Sequence, residues 1–203
     1  MDNTNIKNLI FDVGSVLIGY RWRDMFKDHG VEEEKALKIG RGIFDCEDWK
    51  LFDSGLIDSN VLIDNFCKRF PELEEEARWF IDNAILMRVE RPRVYEELTR
   101  LKEKGYKLYI LSNYSKELFE LHTGDLPFRK MMDGELVSYM VNELKPNDGI
   151  YEALIERFNI NPEESVFFDD RLENAKAAEK FGIRGVHIEN ESEELLLKYL
   201  KEF

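Results

Sequence analysis

Six residues have the types that hydrolysis of an anionic ester would draw on: Asp12, Ser112, Asn113, Lys145, Asp169 and Asp170. Asp12 is followed by Val13-Gly14, a turn sequence that would expose its carboxylate. Asp169 and Asp170 are adjacent and follow an apolar run. Neighbouring carboxylates repel each other unless a cation or a proton intervenes. With Asp12 close by, the pair would form an oxygen-rich pocket of the kind hard Mg²⁺ prefers. Lys145, with Ser112 and Asn113 as donors, would supply the positive charge and hydrogen bonds that a bound phosphate needs. Each residue also has a plainer reading in isolation. Asp12 is a common turn residue, and Ser112-Asn113 suits a helix N-cap. Asp170 with Glu173 resembles a capping box, and Lys145-Pro146 reads as a surface lysine before a helix start.

The elements that must position these residues alternate in type. Asn8–Val13 (NLIFDV), Lys107–Leu111 (KLYIL), Ser165–Phe168 (SVFF) and Gly185–Ile188 (GVHI) are short apolar runs, as expected of buried parallel strands. Helical patterns lie between them, at Arg93–Lys104, Lys116–Leu121, Gly149–Phe158 and Leu172–Phe181, the last stopping at Gly182. Leu195–Leu200 reads as a final helix. Alternation of this kind predicts an α/β fold, a Rossmann-like parallel sheet with helices on both faces. Ligands of such sheets sit at the carboxyl ends of the strands. Asp12, Ser112-Asn113 and Asp169-Asp170 all fall at that edge.

One stretch breaks the alternation. From Tyr20 to about Arg91 the pattern is helical, with no convincing strand, and Leu56–Phe66 and Glu74–Met87 carry apolar residues at helical spacing. The expected organisation is therefore a core of residues 1–19 and 92–203, with residues 20–91 inserted after the first strand as a small helical-bundle cap.

Composition narrows the partners. With 29 Lys and Arg against 42 Asp and Glu, the formal charge is −13. That argues against a nucleic-acid footprint, which needs a positive patch. No apolar run approaches the roughly 20 residues needed to cross a bilayer. Cys46 and Cys67 provide neither a disulfide framework nor a metal cluster and read as ordinary thiols of a reducing compartment. Met1–Lys7 is polar and lacks a signal-peptide core. The expectation is a cytoplasmic monomer or homodimer.

Four segments in order carry a resemblance: FDVGSVLI (Phe11–Ile18), LSN (Leu111–Asn113), ELKP (Glu143–Pro146) and FFDDRLENAKAAEKFGI (Phe167–Ile183). Together they resemble the motifs of the haloacid dehalogenase superfamily, and within it the bacterial sugar-phosphatase members. The interval between the first two leaves room for that family's helical cap. The resemblance implies that Asp12 is a nucleophile forming an aspartyl-phosphate. It also implies Mg²⁺ held by Asp12, the Gly14 carbonyl, Asp169 and Asp170. Ser112 and Asn113 would bind phosphoryl oxygens, Lys145 would neutralise charge, and Asn174 would steady the site. Repulsion between Asp12 and a dianionic phosphate makes both cations necessary.

The chain departs from the pattern at Gly14, where most phosphatases of this superfamily carry a second Asp as general acid and base. Losing such a group costs about 10²–10⁴ in rate if nothing replaces it. The loss favours substrates with a good leaving group, and so a sugar 1-phosphate among small phosphorylated metabolites. Asn142 stands where a glycine is common, and Asn tolerates a positive φ. Trp22, Arg41, Asp45 and Trp49, with Arg21 and Arg23 nearby, are the cap residues suited to gripping a sugar, although packing and surface charge explain such residues equally. His29, His122 and His187 are scattered, His187 within an apolar run that suits a satisfied core residue. The competing expectations are a 2-haloacid dehalogenase, which also lacks the second Asp but works without metal, and a catalytically weak binding protein on the same fold.

Overall fold

β1 (Asn8–Phe11) is buried along its whole length and forms the centre of the sheet. The computed structural model describes residues 3–203, so Met1 and Asp2 of the expected core lie outside the described residues. The chain continues through β2 (Ile18–Tyr20) into helices α1 (Trp22–Asp28), α2 (Glu33–Phe44), α3 (Glu47–Asp53), α4 (Ser59–Arg69) and α5 (Glu74–Asp82). It returns by β3 (Arg88–Glu90) to α6 (Pro92–Glu103), β4 (Lys107–Ser112), α7 (Lys116–Thr123) and β5 (Gly134–Val137). The last elements are α8 (Asp148–Phe158), β6 (Ser165–Asp169), α9 (Leu172–Glu179), β7 (Arg184–His187) and α10 (Glu193–Leu200).

The sheet is parallel throughout, in the order β5-β4-β1-β6-β7. Side chains alternate across β1: Leu9 and Phe11 enter the larger apolar cluster, while Ile10 packs with Tyr151, Leu154 and Phe167 on the opposite face. A strand buried on both faces reads as a continuous apolar run, which is why NLIF was legible. Chain order reverses beside β1, with β4 on one side and β6 on the other. That topology opens a crevice at the carboxyl ends of these three strands.

Local signals place the helices. Asp58 caps α4 by accepting from the Val61 N–H at 2.9 Å, and Ser115 caps α7 by accepting from Leu118 at 3.2 Å. Asn159 ends α8 in the left-handed conformation, at φ 50°. Two plain readings are corrected here. The cap residue of α7 is Ser115 and not Ser112 or Asn113. Asp170 and Glu173 form no capping box, because Arg171 precedes α9 and Glu173 pairs with its guanidinium at 2.8 Å.

The sequence reading missed three strands. β5 is a short edge strand, GELV, with a glycine and a charge in it. β2 and β3 pair antiparallel, Ile18 opposite Glu90 and Tyr20 opposite Arg88, so the segment expected to be wholly helical begins and ends on a ribbon. Three residues are too few to show a period of two, and β3 (Arg-Val-Glu) is largely solvated. Buried Arg91 braces this ribbon, donating to the carbonyls of Val16 at 2.9 Å and Glu191 at 2.8 Å. Between the two strands, α1–α5 pack on an aromatic centre in which Phe26, Phe44 and Phe80 meet Trp22 and Trp79.

Candidate active site

The ends of β1, β4 and β6 deliver Asp12, Ser112 and Asp169 to one point. The Asp12 N–H bonds the Phe168 carbonyl at 2.9 Å, which locks the ends of β1 and β6 together. Ser112 donates its hydroxyl proton to Asp12 Oδ1 at 2.6 Å, and the Val13 N–H adds a second bond to the same oxygen at 2.7 Å. Lys145 is only 4% exposed, which corrects its reading as a surface lysine. Its ammonium lies 3.0 Å from Asp12 Oδ1 and 2.6 Å from Asp169 Oδ2, and it also donates to the Leu111 carbonyl at 3.0 Å. Two anions and a carbonyl thus satisfy all three donors of one buried cation.

Burial alone would lower Lys145, but Asp12 and Asp169 outweigh it and leave the ammonium raised. Burial raises Asp12, opposed by Lys145 and reinforced by Asp169. Asp169 is the most engaged carboxylate. Asn174 reaches both of its oxygens, at 3.0 and 3.2 Å, and the Arg171 N–H bonds Oδ1 at 2.8 Å.

Asp170 differs from both. No side-chain or backbone donor meets its carboxylate among the described residues. Burial first, then the charges of Asp12 and Asp169, push it up to about 8. Asp12, Asp169 and Asp170 each bring a ligand oxygen within 4.8 Å of the others. An orphaned carboxylate beside two more is a site short of positive charge, and an all-oxygen donor set of this size fits Mg²⁺. Asp12 Oδ2 and Asp170 are the oxygens free of protein donors, whereas both oxygens of Asp169 are occupied.

Asn113 lies at the site but turns its amide elsewhere. Its Oδ1 accepts from the Lys145 N–H at 2.8 Å and its Nδ2 donates to the Lys145 carbonyl at 2.9 Å. The side chain clamps the backbone that carries the lysine, which leaves the main-chain N–H of Asn113 as the group that could meet a phosphoryl oxygen. Asn142 adopts φ 55° and donates to the Ser54 carbonyl at 2.8 Å, tying α3 to this loop.

The cap residues are redistributed. Trp22 packs edge-on to Phe44 and lies over Gly40, where a Cβ would stand 2.6 Å from the indole, so it belongs to the cap interior. Arg41 and Asp45 are exposed, and Arg41 lines a groove with Lys38 and Phe70. Neither is bonded to Asp12, Asp169 or Asp170. Arg21 pairs with Asp28, and Arg23 lies over the Trp22 ring. Only Trp49 reaches the site, through a residue the sequence reading passed over. Its indole N–H and the Ser115 N–H both serve the Asp53 carboxylate, at the end of α3. Burial, and then the charge of Asp12, push Asp53 up to about 7, with Lys145 pulling the other way. A lone Asp in a helical segment gave no signal of this, because the approach of α3 to β1 is a tertiary event.

Tyr20 was also missed. Its hydroxyl bonds that of Tyr114, which in turn meets His122 Nδ1 at 2.7 Å. His122 Nε2 bonds the Ala84 carbonyl at 3.0 Å, and burial draws the ring down to about 4, so it is neutral. The other histidines lie apart: His29 stacks on Trp79, and half-buried His187 bonds the Asp170 carbonyl at 2.9 Å.

A family profile described as haloacid dehalogenase-like hydrolase matches residues 6–182. The chain belongs to that family of hydrolases. It is 28% identical over 194 residues to a sesquiterpene phosphatase from Aspergillus oryzae, covering 91% of each chain. It is 24% identical over 205 residues to D-ribitol-5-phosphate phosphatase from Bacteroides thetaiotaomicron, covering 91% of this chain and 93% of that one. A haloacid dehalogenase family enzyme from the same Bacteroides species has been solved in a variant form with magnesium and inorganic phosphate. It superposes with a TM-score of 0.69 at 26% identity, covering 90% of this chain and 93% of that chain. No helix among the described residues is long and apolar enough to cross a membrane.

Proposed function

We propose that this hydrolase is a magnesium-dependent phosphatase of small phosphorylated metabolites, sugar and polyol phosphates among them, acting in the cytoplasm. The observation that carries the reading is the Asp170 carboxylate, left without a donor beside Asp12 and Asp169. A divalent cation satisfies that group, and a metal-independent hydrolase has no use for it. The phosphatase names of the two relatives and the magnesium and phosphate of the Bacteroides structure point the same way.

Asp12 and Asp170, with the Gly14 carbonyl and Asp169 completing the set, would hold Mg²⁺, which supplies charge neutralisation where two anions must meet. The Asp12 carboxylate attacks phosphorus, and the ester bond on the opposite side breaks. The Asn113 main-chain N–H would hold a phosphoryl oxygen, and the Ser112 hydroxyl would turn from Asp12 to another. Lys145, steadied by Asp169 and the Asn113 clamp, neutralises the aspartyl-phosphate as it forms. Asn174 keeps Asp169 aimed at the lysine.

The test is release of p-nitrophenol from p-nitrophenyl phosphate by wild type and Asp12→Asn, with and without Mg²⁺. Activity that needs both the aspartate and the metal supports the reading. Metal-independent release of chloride from 2-chloropropionate establishes a dehalogenase instead. Inertness towards every ester assigns the fold to a binding role.

A further inference from the structure

The phosphatase reading leaves one chemical requirement unmet at Gly14: an ester oxygen leaving phosphorus needs a proton. Tyr20 fills the space a side chain there would occupy, its hydroxyl 2.9 Å from a Cβ placed on Gly14. It is not the missing acid. Neutral His122 gives its Nε2 proton to Ala84, so Nδ1 accepts from Tyr114, and Tyr114 accepts from Tyr20. The Tyr20 proton therefore points away from the crevice.

We propose that Asp53, delivered by the last residue of α3, is the general acid and base of this hydrolysis, in place of the group absent at Gly14. The proposal rests on the phosphatase reading above and adds a residue to it.

The backbone around Asp53 is built into the site. Its carbonyl accepts from the Ser138 hydroxyl, the same oxygen that receives the Tyr114 N–H at 2.9 Å. The next carbonyl, of Ser54, is held by Asn142. Gly55, at φ +74°, lets the chain turn against Tyr139, where a Cβ would stand 3.0 Å from the Tyr139 Cβ. These bonds fix the end of α3 against the loop that follows Ser112 and the segment that leads to Lys145. The carboxylate receives two neutral donors, Trp49 and Ser115, and no cation among the described residues pairs with it directly. The titratable groups facing it are Asp12 from β1, Lys145 from the loop before α8, and Tyr20 and Tyr114 from β2 and the end of β4. A carboxyl raised towards neutrality can both give and take a proton at working pH, which an ordinary aspartate does poorly. Positive charge at the neighbouring carboxylates would lower Asp53, and a dianionic phosphoryl group would raise it again.

The proton balance is as follows. In the first step the bond from Asp12 to phosphorus forms as the bond from phosphorus to the ester oxygen breaks. The Asp53 proton passes to that oxygen, so a neutral alcohol leaves and Asp53 remains a carboxylate. In the second step a water oxygen attacks phosphorus and its proton goes to Asp53. The electron pair of the Asp12–phosphorus bond returns to Asp12, and inorganic phosphate departs. With this proton supplied, the restriction to anomeric phosphates that Gly14 alone would impose is lifted.

The test uses the magnesium-loaded full chain, wild type and near-isosteric Asp53→Asn, on two esters. One is p-nitrophenyl phosphate, whose leaving group departs as a stable anion. The other is whichever alkyl ester wild type turns over best among glycerol 3-phosphate, ribitol 5-phosphate and glucose 6-phosphate. Because kcat/KM reports the steps through alcohol release, it should fall about 10²–10⁴-fold for the alkyl ester and less than about tenfold for the nitrophenyl ester. The alkaline limb of the alkyl pH profile should vanish in the variant. Equal losses on both esters mean that Asp53 is structural, and no loss on either removes it from the reaction. Wild type that turns over no alkyl ester overturns the role as well. If Asp12→Asn remains as active as wild type, the phosphatase reading itself falls and takes this proposal with it.

Discussion

The Tyr20 hydroxyl stands 2.9 Å from where a Cβ on Gly14 would begin, so the two positions share one space. The tyrosine cannot retreat cheaply, because Tyr114 and His122 hold its hydroxyl in a chain that ends on the Ala84 carbonyl. Gly14→Ala should therefore cost about 1–3 kcal/mol of stability, as overpacking does. Tyr20→Phe removes the obstructing oxygen and should recover part of that loss in the double variant. Urea denaturation of the four proteins measures the coupling, and strictly additive effects would refute the steric conflict.

Lys145 bridges Asp12 and Asp169 with none of its side chain exposed. Lys145→Met keeps much of the volume but leaves two buried carboxylates facing each other. Breaking a buried pair in this way costs about 3–5 kcal/mol, and here two pairs share one cation. The variant should melt well below wild type at pH 8, and the gap should narrow at pH 5, where a carboxyl can take up a proton. A gap that does not change with pH would mean that packing, and not charge, is the loss.

Asp169 and Asp170 are neighbours with different duties. Asp169 spends its oxygens on Lys145, Asn174 and the Arg171 N–H, whereas Asp170 spends none on protein donors. Asp170→Asn should weaken Mg²⁺ binding by at least about tenfold. Asp169→Asn should act mainly through Lys145, with the larger loss of thermal stability of the two. Calorimetric titration of Mg²⁺ without substrate, beside melting curves, separates the roles. The reverse ranking in metal affinity would make Asp169 the principal ligand.

The sequence made the sheet legible because strands buried on both faces carry no polar interruptions until the residue that acts. NLIFDV, KLYIL and SVFF each end within a residue or two of the ends of β1, β4 and β6, and the polar edge lies there. The Asp12, Ser112 and Asp169 group could be assembled from the strand ends, and Lys145 joined it through the need for positive charge and the family resemblance. The duties within it could not. Whether Asn113 faces a ligand or clamps Lys145 depends on which way an amide turns, and spacing says nothing of that. Asp53 and Tyr20 were out of reach for other reasons: Asp53 approaches Asp12 only through the folding of the segment between β2 and β3, and Tyr20 ends a strand of three residues, too short to show a period. Trp22 stayed open between packing and ligand contact because an aromatic that fills the space over Gly40 looks, in sequence, like one that stacks on a ligand.

The metal-free protein should lose stability as pH rises from about 6.5 to 8. Asp170 is raised to about 8 and Asp53 to about 7, from an ordinary carboxyl value of 3.8. Between those limits the folded chain binds protons that the unfolded chain has released, so raising the pH drives unfolding. His122 has the opposite sign. Its folded value is depressed to about 4 from 6.5, so it adds stability with rising pH up to about 6.5 and nothing further above that. Above that point the two carboxyl groups set the slope. Mg²⁺ should oppose it, and the rise in melting temperature on adding the ion should be larger at pH 8 than at pH 6. Asp170→Asn should flatten the metal-free profile and abolish most of the magnesium effect. A metal-free protein whose melting temperature climbs steadily from pH 6.5 to 8 would show that these carboxyl groups are already ionised without a cation.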